Sequence, residues 1–228
     1  MGKTLHIEFR KKLILEEDML DNHGFDIWAD GYDKSVNAAD DDNDYPFAGY
    51  KNILNAIYGT IMEKCPVKVL DVGVGTGTLS TKLYEGGNDI TAIDFSEKML
   101  SIANAKMPKA KFYQFDFTKG IPTEVASMKF DFIVSTYALH HLTDEEKVSF
   151  IRLIVDCIND AGVIIIGDVS FQNRDDLEHC KHSCGDEWDD DEFYFVFSEL
   201  SEELKDACSM TYHQYSHCGG IMEIRLLK

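Results

Sequence analysis

Basic residues are scarce in this chain. It carries 22 Lys and Arg against 41 Asp and Glu, a formal net charge of −19. Nucleic acids and anionic membranes are held by neutralising their phosphates with Lys and Arg. Neither is expected as a partner, and a small molecule, neutral or cationic, is. Long apolar runs are missing too. No stretch approaches the ~20 residues that span a bilayer, and Met1 to Leu20 is charged throughout, unlike a signal peptide. The six cysteines are widely spread over 228 residues. That fits reduced thiols in a cytoplasmic protein better than a disulfide framework. There is no internal repeat and no low-complexity tract. What the chain does have is 44% hydrophobic residues, enough for one well-filled core. A single domain over residues 1–228 is expected, as a monomer or homodimer, with 1–46 an extension and lid and 47–228 the core.

The chain is organised around Val67 to Ser80, VKVLDVGVGTGTLS. Val67, Val69, Leu70 and Val72 form the short apolar, β-branched run of a buried parallel strand. Asp71 precedes glycine at every second position, Gly73, Gly75 and Gly77. Thr78 to Glu85 then has helical spacing and stops at Gly86-Gly87. In a strand–turn–helix unit such glycines permit positive φ and bare backbone against a ligand, and the helix start offers N–H groups to an anion. A second strand, Asp89 to Ile93, ends in Asp94, 23 residues after Asp71. An acid there can hold two ribose hydroxyls.

This segment resembles motif I and the following acidic strand end of the class I S-adenosylmethionine-dependent methyltransferases. The spacing GxGxG departs from the dinucleotide fingerprint, with Thr78 where the last glycine would stand. The resemblance runs from Phe25 to Leu227. Within it, STYALHHLTDEEK (Ser135 to Lys147) is similar to the small-molecule, YrrT-like group of bacterial members. It implies an α/β, doubly wound, Rossmann-like sheet of seven strands in order 3-2-1-4-5-7-6, the last antiparallel, with an N-terminal helical lid. It also implies S-adenosyl-L-methionine as cofactor and a small-molecule acceptor methylated by direct in-line transfer. The alternatives are a cofactor-binding protein without turnover and, against the glycine spacing, a nicotinamide-dependent oxidoreductase.

Strand–helix alternation supports the doubly wound sheet independently. Thr4 to Leu20 is expected as an amphipathic helix, and Phe25 to Val36 as a helix and turn. Tyr45 to Lys64 carries apolar residues at helical spacing, and Pro66 ends it. Ser96 is the expected N-cap of helix Glu97 to Lys106. Further strands are expected at Lys111 to Phe115, Phe130 to Ser135 and Val163 to Ile166. Thr143 and Glu146 form a capping box for the helix between the last two. Ser198 is expected to cap a helix reaching Ala207. A closing hairpin pairs Cys208 to Ser216 with Ile221 to Leu227.

On the resemblance, Tyr32 covers the methionine end of the cofactor, where a tyrosine face attracts a sulfonium. Asp71 orients the glycine loop and reaches the methionine ammonium through water, and the backbone of Ser135 bonds the same ammonium. Asp94 takes the ribose, Asp116 the adenine amino group, and Phe117 packs on the ring. Gly73, Gly75, Gly77, Phe95 and Met99 complete the cofactor side. His140 and Tyr137 are the acceptor-side catalytic candidates, His140 as a base. His141 is expected to pack on the sheet and bond a backbone carbonyl. No metal is expected: His179, Cys180, His182 and Cys184, with Cys208, His213, His217 and Cys218, match no familiar zinc spacing.

Overall fold

The computed structural model describes residues 44–227. Tyr32 and the segments expected as helical, Thr4 to Leu20 and Phe25 to Val36, lie outside the described residues. The elements are α1 (Tyr50–Met62), β1 (Lys68–Val72), α2 (Thr78–Glu85), β2 (Asp89–Asp94), α3 (Glu97–Lys106) and β3 (Lys111–Gln114). Then come α4 (Thr123–Ala126), β4 (Phe130–Thr136), α5 (Asp144–Val155), β5 (Ile158–Phe171) and α6 (Arg174–Cys184). β6 (Phe195–Val196), α7 (Phe197–Leu204), β7 (Cys208–Gln214) and β8 (Gly219–Leu226) close the chain. Among the described residues no helix is long and apolar enough to cross a membrane.

The main sheet runs β3-β2-β1-β4-β5-β8-β7, with the two-residue β6 pairing the end of β5. β8 is antiparallel to both its neighbours and the five strands before it in this order are parallel. Leaving β6 aside, this is the expected order, 3-2-1-4-5-7-6. Side-chain alternation builds a core on each face. Val69, Phe132, Val134, Val163 and Ile165 meet Ile53, Ile57 and Leu83 of α1 and α2. Leu70, Ile133, Ile164 and Ile166 meet Phe150, Ile151 and Ile154 of α5 and Leu200 and Leu204 of α7.

The capping signals form as expected. Ser96 Oγ accepts from Met99 N at 3.1 Å. Thr143 Oγ1 accepts from Glu146 N, and Glu146 Oε2 accepts from Thr143 N at 2.8 Å. Several boundaries differ. β5 runs from Ile158 to Phe171 rather than from Val163 to Ile166, because β4 pairs its start and β8 gives it an antiparallel partner through Val169. Asp168 therefore lies inside a strand, opposite Gly220. α7 begins at Phe197 with Val196 as N-cap, because the Ser198 N–H is taken by the Gln172 carbonyl at 3.1 Å. The acidic tract after β5 holds a full helix, α6, capped by Asn173 on Asp176 N.

Candidate active site

Sheet order reverses between β1 and β4, and the candidate residues gather at the carboxyl ends of the strands there, as open α/β sheets place ligands. Asp71 of β1 is buried. Its Oδ2 accepts from Ser80 Oγ at 2.5 Å, while Oδ1 has no hydrogen-bond partner. Burial, only partly offset by Ser80, pushes the carboxyl up to about 7. Asp94, at the end of β2, ties the loop down: Oδ2 accepts from Gly75 N at 2.8 Å and Oδ1 from Ser96 N at 2.9 Å.

Two glycines of the loop need to be glycine for different reasons. Gly73 has φ +75°, and a Cβ there would sit 2.4 Å from the Cβ of Ala138. It lets the loop close on the exit of β4. Gly75 has φ +54° and nothing within 4 Å of the Cβ position. Its face is open, which is where a ligand can lie on backbone. Gly77 is the N-cap of α2 and offers no capping side chain.

Ser135 Oγ donates to the Val72 carbonyl at 2.8 Å, joining β4 to the end of β1. Phe117 is buried beside Phe150, with a ring atom 3.8 Å from the Gly73 Cβ position. Phe95 is half-buried and Met99 is buried under α3. Asp116 stands at the rim. Oδ1 accepts from Thr118 N and Oγ1, and Oδ2 pairs with Lys119 at 2.8 Å. Burial works against its charge, but these partners prevail and hold the carboxyl below its usual range.

On the other side of the switch point, Tyr137 has φ +51°, the only positive φ outside glycine among the described residues. That strained backbone turns the chain out of β4 and packs the Tyr137 ring against Phe47 and Tyr50, 5.4 and 5.1 Å away. His140 follows in a 3-10 turn, Leu139–His141, and is buried. Its Nδ1 lies 2.6 Å from Asp168 Oδ1 and its Nε2 3.5 Å from Glu192 Oε1. Burial opposes the charged ring, but Asp168 and then Glu192 outweigh it and lift His140 to about 9. His141 is pushed down to about 4 by burial and by the charge of His140. Its Nδ1 is 4.0 Å from Glu192 Oε1, so it faces a carboxylate rather than only the sheet.

Glu192 lies 52 residues beyond His140, in an acidic run that gave no sign of a site. It is placed by its neighbours. Phe193 N donates to the His140 carbonyl at 2.8 Å, and buried Lys147 donates to the Phe193 carbonyl. Tyr194 OH donates to Glu192 Oε2 at 2.7 Å and is itself hydrogen-bonded to Tyr45 OH. Burial raises the Glu192 carboxyl, but the two histidines hold it below its ordinary value. Asp168 was the more legible of the two, since it is one more acid near the end of a parallel strand. The other His and Cys candidates do not converge. Cys180, Cys184 and Cys218 turn inward, with 3.8 Å between the first two sulfurs, and His179, His182, His213 and His217 stay exposed. Burial pushes the Cys180 and Cys218 thiols up to about 12.

Residues 69–162 match a family model described as a methyltransferase domain. An uncharacterized methyltransferase of Anoxybacillus flavithermus is 39% identical over 155 residues, 68% of this chain and 69% of that protein. One of Oceanobacillus iheyensis is 37% identical over 151 residues, covering 66% and 68%. In fold, the chain is similar to magnesium protoporphyrin IX methyltransferase of Synechocystis with S-adenosylhomocysteine bound. The TM-score is 0.63 at 19% identity, over 78% of this chain and 84% of that one. It is also similar to the N-methyltransferase NodS of Bradyrhizobium japonicum, with a TM-score of 0.60 at 14% identity over 79% and 89%.

Proposed function

This chain belongs to the class I S-adenosylmethionine-dependent methyltransferases, and on that premise we propose that it methylates a small-molecule acceptor by in-line displacement at the switch point between β1 and β4. Its nearest group on this reading is the YrrT-like one. Bound S-adenosylmethionine supplies a methyl group on a sulfonium together with its leaving group. The chain's own residues bind, orient and exclude water.

The observation that carries the reading is the partnerless Oδ1 of buried Asp71, together with the open face of Gly75 four residues on in the same loop. A buried carboxylate oxygen with no donor is costly, and the methionine ammonium is a donor of the right charge. Asp94 would take the ribose hydroxyls on its carboxylate oxygens, each of which has two lone pairs. Phe95 and Phe117 would flank the adenine, and Met99 would support the floor beneath it. Asp116 would reach the adenine amino group by exchanging its bond to Lys119. The Ser135 backbone would hold the ammonium from the β4 side.

On the acceptor side, Tyr137 with Phe47 and Tyr50 would form an apolar wall. Asp168 holds the Nδ1 of His140 and so sets the direction of Nε2. Once His140 has given up the proton that Asp168 and Glu192 hold to about 9, Nε2 would take the proton of an O–H or N–H acceptor while the acceptor atom is held in line, so methyl transfer would rise with pH towards 9.

Calorimetric titration with S-adenosylmethionine and S-adenosylhomocysteine tests the reading. The wild type is expected to bind both, and Asp94→Ala to bind at least ~30-fold more weakly, since hydrogen bonds to a charged group contribute about 1.5–3 kcal/mol each. Binding of neither ligand by the wild type would overturn it. With an acceptor found by screening, His140→Ala is expected to lower kcat roughly 100-fold or more and leave cofactor affinity unchanged.

A further inference from the structure

His140, His141 and Glu192 bring two imidazole nitrogens and one carboxylate oxygen within 4.8 Å of one another. His140 Nε2 and His141 Nδ1 face the same oxygen, Glu192 Oε1, at 3.5 and 4.0 Å. Two ligand atoms on a tetrahedral ion with bonds of about 2.0–2.1 Å stand about 3.4 Å apart. The first spacing already matches, the second needs a shift of about half an ångström, and the two nitrogens, within 4.8 Å of each other, have to close by up to about 1.4 Å.

Each of two ligand atoms is aimed by a partner behind it. Asp168 Oδ1, fully buried, sits 2.6 Å from His140 Nδ1, which leaves Nε2 as the nitrogen that a metal ion would bind in place of its proton. Tyr194 OH donates to Glu192 Oε2, which leaves Oε1 turned to the histidines. A carboxylate behind a ligating histidine and a donor behind a ligating carboxylate are the outer supports that metal sites use. The backbone is fixed as well, by the bond from Phe193 N to the His140 carbonyl and by Lys147 on the Phe193 carbonyl.

The charge balance points the same way. Asp168 and Glu192 bring two carboxylates to a largely buried place. The nearby lysine, Lys147, is committed to Asp144 at 2.9 Å and to the Phe193 carbonyl. We propose that His140, His141 and Glu192 bind a divalent late first-row metal ion of the zinc or cobalt class, with a coordination position left open towards the acceptor. Two imidazoles and one carboxylate are donors that suit such ions. Metal binding itself is independent of the methyltransferase reading. The ion's use, to hold an acceptor oxygen and ease loss of its proton, rests on that reading, and the ion would then occupy the place where Nε2 otherwise takes the proton.

The test is titration of chelator-treated full-length protein with cobalt(II) chloride, followed by visible absorption, with zinc as competitor. One equivalent is expected to bind with a visible band that zinc removes. His141→Ala and Glu192→Gln are each expected to weaken binding at least tenfold, and Asp168→Asn, acting through His140, about 10–100-fold. Retained S-adenosylmethionine affinity shows that each variant is folded, and if one is not, the other two carry the test. Failure of the wild type to bind one equivalent overturns the proposal. So does binding that all the folded variants keep, since the ion then sits elsewhere and His140 is a protonated bridge between Asp168 and Glu192. A protein that binds S-adenosylmethionine but no cobalt overturns this inference alone, and one that binds cobalt but no S-adenosylmethionine overturns the cofactor reading alone.

Discussion

In the unfolded chain Asp71 ionises near its ordinary value of 3.8, whereas in the fold burial holds its proton to about 7. Between those values the folded state binds more protons than the unfolded state, so Asp71 removes stability as pH rises from about 4 to about 7. Three pKa units correspond to roughly 4 kcal/mol as an upper bound. Asp71→Asn is expected to flatten this slope and to raise stability at pH 8 by about 1–3 kcal/mol, the rest being lost to a buried amide without full partners. Denaturant melts at pH 5 and pH 8 check it, and equal slopes in both proteins would refute it. If ionised Asp71 faces the cofactor ammonium, wild-type affinity strengthens from pH 6 to pH 8 with proton release, and the variant loses both effects. The two loop glycines separate stability from binding. Gly73→Ala puts a Cβ 2.4 Å from that of Ala138 at φ +75°, and is expected to cost about 3 kcal/mol in strain and overpacking. Gly75→Ala has the positive φ but no clash. About 1 kcal/mol of stability is expected to go, with S-adenosylmethionine affinity down at least tenfold as the methyl fills the open face. Thermal melts alongside calorimetry distinguish the two, and unchanged affinity in Gly75→Ala would show that no ligand lies there.

At the scale of elements, Lys147 is one of the ties that hold the segment between α6 and β6 over His140. It is 2% exposed, donates to Asp144 and the Phe193 carbonyl, and lies 4.7 Å from the Phe195 ring centre. Lys147→Met keeps the apolar stem but leaves that carbonyl without its charged donor. A loss of about 1–3 kcal/mol is expected, a fall in Tm of several degrees for a chain of this size. Glu192 should loosen with it, so proteolysis is expected to nick the chain first between α6 and β6. Nicking elsewhere would mean that the segment is held without Lys147. Why the sequence showed the strands and missed this segment follows from range. The run Val67 to Val72, the glycines, Ser96 and the Thr143–Glu146 box act on neighbours a few residues away, so their patterns can be read locally. The end of β5 depends on β8, and the start of α7 on the Gln172 carbonyl. Both are long-range pairings that no local pattern encodes.

For the whole molecule, the site divides by the same rule. Asp71, Asp94 and Asp116 lie at or beside the carboxyl ends of strands, and topology brings strand ends together, so their gathering on one edge of the sheet was legible. Glu192 reaches His140 only because Lys147, Tyr194 and Phe193 fold an acidic run across the sheet edge, and composition alone reads that run as solvated surface. The remaining acids govern the molecule as a whole. A net charge of −19 repels itself in the folded state and is not offset by exposed pairs such as Arg152–Asp206, Arg174–Glu199 and Lys181–Asp190, which contribute little. Salt screens both effects, and at 0.1 M the Debye length is about 10 Å, shorter than most separations between like charges. Relief of repulsion therefore wins over loss of ion pairs. Raising sodium chloride from about 10 to about 200 mM is expected to stabilise the fold by about 1 kcal/mol and lift Tm by about 2–4 °C. Differential scanning calorimetry across that series measures it. A falling Tm would place more of the stability in the surface ion pairs than the excess of acids takes away.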